Sequence, residues 1–133
     1  MRIDLLARCM AHVESDNTAA AQGDDGRAFG RWQMHPAWFA QWYTPQLGDT
    51  WDRACARALW RFLRAEAAGG RSVFQALALF HLGHDPRTYQ DHVAALAYAA
   101  RYGFKPGEFA QLDSAVLTDS ITFDGFYGYV SAA

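Results

Sequence analysis

No run of about 18 uncharged apolar residues occurs anywhere in the 133-residue chain, so no segment reads as a membrane-spanning helix and no membrane insertion is expected. The opening residues, Met1-Arg2-Ile3-Asp4, meet an acid before any apolar stretch can build. No secretion signal is therefore read, and the expectation is synthesis in a cytoplasm with any export left to another machine. Cysteine is scarce. Cys9 and Cys55 stand alone, each within a helical pattern, which excludes a framework of several disulfides; buried free thiols are the expectation and a single bridge the alternative. Cationic excess is also lacking: 12 Lys and Arg face 14 Asp and Glu, for a net charge of -2. That balance offers no broad positive field, so no nucleic acid partner is expected. Neither HExxH nor a cysteine-based zinc spacing occurs, although His81, His84, Asp85 and His92 lie close in sequence. No metal and no cofactor are expected.

The composition present is that of a globular protein, with 51% hydrophobic and 20% charged residues. The length suits one domain over residues 1–133, expected to be a monomer, large enough to bury roughly two thirds of its unfolded surface. Aromatic residues reach 15%, including five Trp. They serve either an aromatic core or a cleft that stacks on rings.

Helical spacing of Ile3, Leu6, Met10 and Val13 predicts a first helix over about 4–14, with Leu5 and Cys9 widening its apolar stripe and Asp4 as N-cap. Glu14 follows Met10 by one turn, so it falls on that stripe and at the helix C-terminus, an unusual seat for a carboxylate. Residues 15–31 lack any period and are rich in turn formers. Gly23-Asp24-Asp25-Gly26 has the chemistry of a tight turn, so this excursion is a loop with at most a short hairpin. Pro36 opens a short helix through Trp42. A longer helix runs from Asp49 or Thr50 to Ala68, with Trp51, Cys55, Leu59 and Phe62 inward. Its Arg53, Arg57, Arg61 and Arg64 form a solvated face or a phosphate-binding stripe. Ser72 and Gln75 make a capping box for a helix ending near Leu82 at Gly83. A fifth helix is predicted from Pro86 to Arg101, with Tyr89, Val93, Leu96 and Ala100 inward, and another from Pro106 through Phe109, Leu112 and Val116. The segment 121–130 reads as a small hairpin around Asp124-Gly125 or an irregular aromatic flap. The fold class is mainly α: one domain of several helices around a cleft, with a loop or β-hairpin excursion after the first helix.

Three local patterns coincide on these elements. Glu14-Ser15 closes the first helix; Gly26-Arg27-Ala28-Phe29-Gly30-Arg31-Trp32-Gln33-Met34-His35-Pro36 follows the turn; and Phe80-His81-Leu82-Gly83 precedes Tyr89. In this order they resemble the lysozyme-like superfamily, specifically the catalytic domain of soluble lytic transglycosylases and related phage muralytic proteins. The likeness covers about residues 3–103, leaving 104–133 as a C-terminal extension expected to pack on the domain. The chain departs from the family in two places. Asn17-Thr18 stands where the family has Asn-Pro, and His81-Leu82 where it has Asn-Ala, which alters a substrate contact near Glu14.

The resemblance implies a peptidoglycan-cleaving enzyme that cuts the bond between N-acetylmuramic acid and N-acetylglucosamine. Glu14 would act first as acid and then as base, closing a 1,6-anhydro ring without water. General acid work near neutrality needs a carboxyl that keeps its proton, and desolvation on an apolar stripe favours the neutral form. Ser15, Gly30, Gln33, Phe80, His81 and Tyr89 are the implied substrate-binding residues, and peptidoglycan glycan strands the implied partner. Asp24 and Asp25 are either turn residues or, in a hydrolytic lysozyme, the second carboxylate that holds a water. Gln33 is alternatively a polar loop cap, and Tyr89 a packing residue. A catalytically silent glycan-binding or virion structural module is a further alternative, favoured by His81. The implied place of action is the bacterial cell wall, reached from a virion or through another export machine.

Overall fold

The computed structural model describes residues 1–102, 115–119 and 121–132. Helix α1 spans Ile3–Ser15 and buries Ile3, Leu6, Ala7, Met10 and Ala11, the spacing of a single helix face. The stripe is narrower than expected: Leu5 and Cys9 are exposed. Arg2 rather than Asp4 is the N-cap. Asp4 sits buried in the first turn, where its Oδ1 accepts from Arg2 Nε at 3.1 Å and the Leu5 amide at 2.9 Å, beside the favourable end of the helix dipole. At the other end Asp16 and Asn17 both take left-handed backbone angles, and the Asn17 amide closes on Ala11 O at 2.9 Å. Two such residues in succession turn the chain sharply off the helix axis directly after Ser15, one residue beyond Glu14.

The excursion contains the expected short hairpin. Strands β1 (Gln22–Gly23) and β2 (Ala28–Phe29) pair antiparallel, Gln22 opposite Phe29 and Gly23 opposite Ala28, around a tight turn at Asp24–Gly26. It returns to the core through Trp32, fully buried, whose Nε1 donates to Ala7 O at 2.8 Å. Helix α2 (Pro36–Trp42) starts on Pro36 as expected, and α3 (Trp51–Ala68) is capped by the Thr50 hydroxyl. Cys55, Leu59 and Phe62 face inward on α3. Trp51 does not: it lies in the first turn, half exposed, against Phe29 and Phe39. The Ser72–Gln75 capping box opens α4 (Val73–Leu82), which stops at left-handed Gly83.

Helix α5 is Tyr89–Ala100, opened by a Thr88–Asp91 capping box rather than at Pro86. Its inward face is also different from the one expected. Ala95, Tyr98 and Ala99 are buried, whereas Tyr89, Val93, Leu96 and Ala100 are exposed. The alanines between residues 94 and 100 leave two faces apolar, and packing on α4 selects the one with small residues, which allows close approach.

The tail corrects a second expectation. Residues Phe123–Ser131 form helix α6, capped by Thr122, with Phe123, Phe126 and Val130 buried against α1 and α3. Gly125 serves packing rather than a turn, since a Cβ there would meet Ile121 Cγ1 at 2.9 Å. The arginines of α3 receive this helix. Arg53 pairs with Asp124 at 2.7 Å, Arg57 lies 3.8 Å from the Phe123 ring centre, and Arg64 pairs with Asp119 at 2.7 Å. They are therefore partly a docking face, neither wholly solvated nor a free stripe. Val116, expected on a helix from Pro106, instead pairs with Ser72 in an extended segment. Residues 106–114 of that expected helix lie outside the described residues.

The described residues thus form a mainly α domain of six helices with one small sheet after the first, compatible with a lysozyme-like architecture. Among them no helix is long and apolar enough to cross a membrane. Both cysteines are free, Cys55 buried and Cys9 exposed.

Candidate active site

The C-terminus of α1, the hairpin, α2 and the ends of α4 and α5 enclose a cleft of about 570 Å³. The left-handed turn after α1 leaves Glu14 as the last inward side chain of that helix, and its carboxylate reaches the cleft while remaining only 11% exposed. Tyr98 of α5 donates its hydroxyl to Glu14 Oε1 at 2.7 Å. Burial, together with the neighbouring Tyr102 and the Glu14 charge, pushes the Tyr98 pKa far up, so this hydroxyl keeps its proton and stays a donor. Arg101, one turn further along, places Nη1 3.5 Å from the same Oε1 and Nη2 3.3 Å from Val13 O.

His81, at the end of α4, stacks on the Tyr98 ring with centres 4.3 Å apart and planes within 8°. Its pKa is lowered, first by the burial of that contact and also by Arg101, with the Glu14 charge opposing. Phe80 and Trp38 meet edge to face at 5.0 Å and supply an apolar wall. Gln33 holds a left-handed backbone and donates from Nε2 to Gly30 O at 2.9 Å. Its Oε1 lies where a Cβ on Gly23 would stand, so glycine at 23 makes room for it.

The two candidate second carboxylates separate. Asp24 lines the cleft, 58% exposed, with Oδ2 3.0 Å from His35 Nε2. Asp25 is exposed in the turn and does not line it. Three other expected binding residues lie elsewhere. Ser15 ties the end of α1 to the excursion, donating to Arg31 O at 2.7 Å and accepting from the Thr18 amide at 3.0 Å. Gly30, left-handed, approaches Cys55 on α3 rather than the cleft floor; a Cβ there would stand 3.3 Å from Sγ. Tyr89 is 80% exposed at the start of α5, and Tyr98 stands beside Glu14 in its place.

Among the cleft residues not expected as site residues, His35, Trp38, Tyr98 and Arg101 bring polar groups or rings to the lining. Tyr98 and Arg101 carry a readable signal, because a separation of three puts both on one helix face, next to the small residues Ala95 and Ala99.

An ion network fixes the excursion that bears Gln33. Arg31 meets Asp52 of α3 through two bonds of 2.9 and 3.1 Å, and its Nη1 reaches Asn17 O and Oδ1 at 3.0 and 2.8 Å. Tyr127 of α6 donates to Asp52 Oδ2 at 2.7 Å, and Asn17 donates to Val130 O at 3.2 Å. Among the described residues no group of three or more His, Cys, Asp or Glu is arranged to hold a metal ion. Comparison with family models, with curated proteins and with solved structures finds no match to this chain.

Proposed function

We propose that this protein cleaves peptidoglycan as a lytic transglycosylase, with Glu14 as both acid and base. The observation that carries the reading is the asymmetry of the two cleft carboxylates. Glu14 is withdrawn from water and held by a hydroxyl that stays protonated, whereas Asp24 is largely solvated and engaged by His35. The likeness of Glu14-Ser15 and the Gly26–Pro36 segment to the transglycosylase motifs supports the same assignment.

Glu14 delivers its proton to the glycosidic oxygen between N-acetylmuramic acid and N-acetylglucosamine as the C1–O bond breaks. The acetamido oxygen of the muramic acid bonds to C1 and carries the positive charge, so no second carboxylate is required. The Glu14 carboxylate then takes the proton of the same sugar's 6-hydroxyl, whose oxygen bonds to C1 and expels the acetamido oxygen. The product is a 1,6-anhydro sugar, the carboxyl is protonated again, and no water is consumed. Tyr98 fixes the rotamer of Glu14 through both steps. Trp38 and Phe80 offer the apolar wall on which a sugar face packs.

A second reading, hydrolysis, is favoured by the presence of Asp24 in the same cleft, where it would hold an attacking water. Digestion of purified sacculi followed by mass spectrometry separates the two. Products ending in anhydromuramic acid, lighter by one water than reducing-end products, are expected. Reducing ends would favour hydrolysis, and an absence of soluble products under a full pH survey would refute both.

A further inference from the structure

Two arginines near the cleft are held in opposite ways. Arg31 is 11% exposed, and its four bonds, of 2.8 to 3.1 Å, leave its guanidinium committed to the fold. Arg101 lines the cleft, is 47% exposed, and among the described residues makes only two hydrogen-bond contacts, both long, at 3.3 and 3.5 Å. The Glu14 oxygen it approaches already accepts a shorter bond from Tyr98. A guanidinium carries five N–H donors in a planar fork, and those of Arg101 have no short acceptor among the described residues. Its plane is steadied by the Tyr98 ring, 5.4 Å away. Among the described residues that line the cleft, the other wall has no comparable cation. His35 is engaged by Asp24, and His81, stacked on Tyr98 beside Arg101, has its pKa lowered by burial.

We propose that Arg101 is a specificity residue that reads a carboxylate carried by the glycan, beside the sugar bond that Glu14 cuts. This inference rests on the glycan-cleaving reading of the cleft. In peptidoglycan the group of that chemistry is the lactyl acid of the muramic sugar, or a carboxylate of the peptide attached to it. A carboxylate meets a guanidinium fork through two parallel charge-assisted bonds, which the two long contacts of the free enzyme do not supply. A neutral chitin-type strand of the same backbone offers no such group. The exposed half of Arg101 therefore distinguishes acidic from neutral glycans, while Glu14 and Tyr98 serve both.

The test uses the full chain carrying Glu14→Gln, which binds without cutting. Calorimetric Kd values are measured for three oligosaccharides of equal length: N-acetylglucosamine alone, the alternating muramic strand with free lactyl acids, and that strand with its peptides. Tighter binding of one or both acidic strands over the neutral one, by about tenfold and weakening with salt, is expected. The strand that shows the preference identifies which carboxylate is read. Adding Arg101→Gln should bring that ratio to within about twofold of unity, while Arg101→Lys should keep part of it. An unchanged ratio in Arg101→Gln, or equal binding of acidic and neutral strands before its introduction, overturns this inference alone. Binding of none of the three overturns the glycan reading with it.

Discussion

Replacing Asp52 by Ala removes the carboxylate on which the excursion is hinged to α3. The variant loses two bonds from Arg31 and one from Tyr127, and among the described residues the guanidinium keeps only Asn17 as partner. The size of the loss depends on solvent. An exposed ion pair is worth about 0 to 1 kcal/mol, because water replaces it, whereas breaking a buried pair costs about 3 to 5 kcal/mol. With Arg31 11% and Asp52 17% exposed, little water reaches the orphaned guanidinium, so the cost falls near the lower end of the buried range, about 3 kcal/mol. For a chain of this length that corresponds to a fall of roughly 10 °C in Tm. Urea unfolding at neutral pH measures it, and a double-mutant cycle with Arg31→Ala isolates the pair. Coupling of about 2 kcal/mol is expected; a value below about 0.5 kcal/mol would place the pair with ordinary surface bridges and refute the argument that it anchors the excursion.

Glu14→Gln preserves shape but cannot transfer a proton, so release of muropeptides should fall by at least about 10²-fold with circular dichroism unchanged; activity within threefold of wild type would remove Glu14 from the chemistry. Tyr98→Phe keeps the ring stacked on His81 but deletes the donor to Glu14, and turnover should drop about tenfold, while Tyr89→Phe on the exposed turn stays within about twofold. The reverse ranking would restore Tyr89 to the site. Glu66 is buried beside Arg71, and burial raises its pKa above the ordinary 4.5 although the Arg71 contact opposes it. The folded state then holds this proton more tightly than the unfolded chain, so its contribution to stability is full below about pH 4.5 and is lost as pH rises through the folded value. Urea midpoints between about pH 4 and 7 should therefore decline less steeply in Glu66→Gln than in wild type; parallel curves would count against that shift.

Where local chemistry decides the backbone, the sequence is easy to read. Pro36 opens α2, Ser72 and Gln75 cap α4, and the Asp24–Gly26 turn closes the hairpin. Glu14 is legible for the same reason, since the stripe of α1 carries it inward. The failures lie where two local readings compete and a distant contact chooses. On α5 either apolar face would serve, and α4 selects the one bearing Tyr98, so Tyr89 loses the place the motif implies for it. In the tail, Gly125 and Gly128 resemble turn formers, yet the fit of Phe123 and Phe126 against α1 and α3 outweighs the cost of glycine in a helix. Arg101 is legible in the sequence only as a neighbour of Tyr98 on one helix face; a basic residue ending a helix is otherwise ordinary, and its meaning comes from Glu14, on a different helix.

The contact of Gly30 with Cys55 gives the cleft wall a built-in clock. Burial and the charge of Asp52 push the Cys55 thiol up to about 12, so while the excursion stays seated almost none of it is the reactive thiolate at neutral pH. Cys9, exposed on α1, has no such cover. Lifting of the excursion from α3 is expected to open Cys55 to a thiol reagent. The rate of its modification, set against that of Cys9 in the same molecule, counts openings of the wall that carries Gln33 and Asp24, and bound glycan that spans the cleft should slow that count.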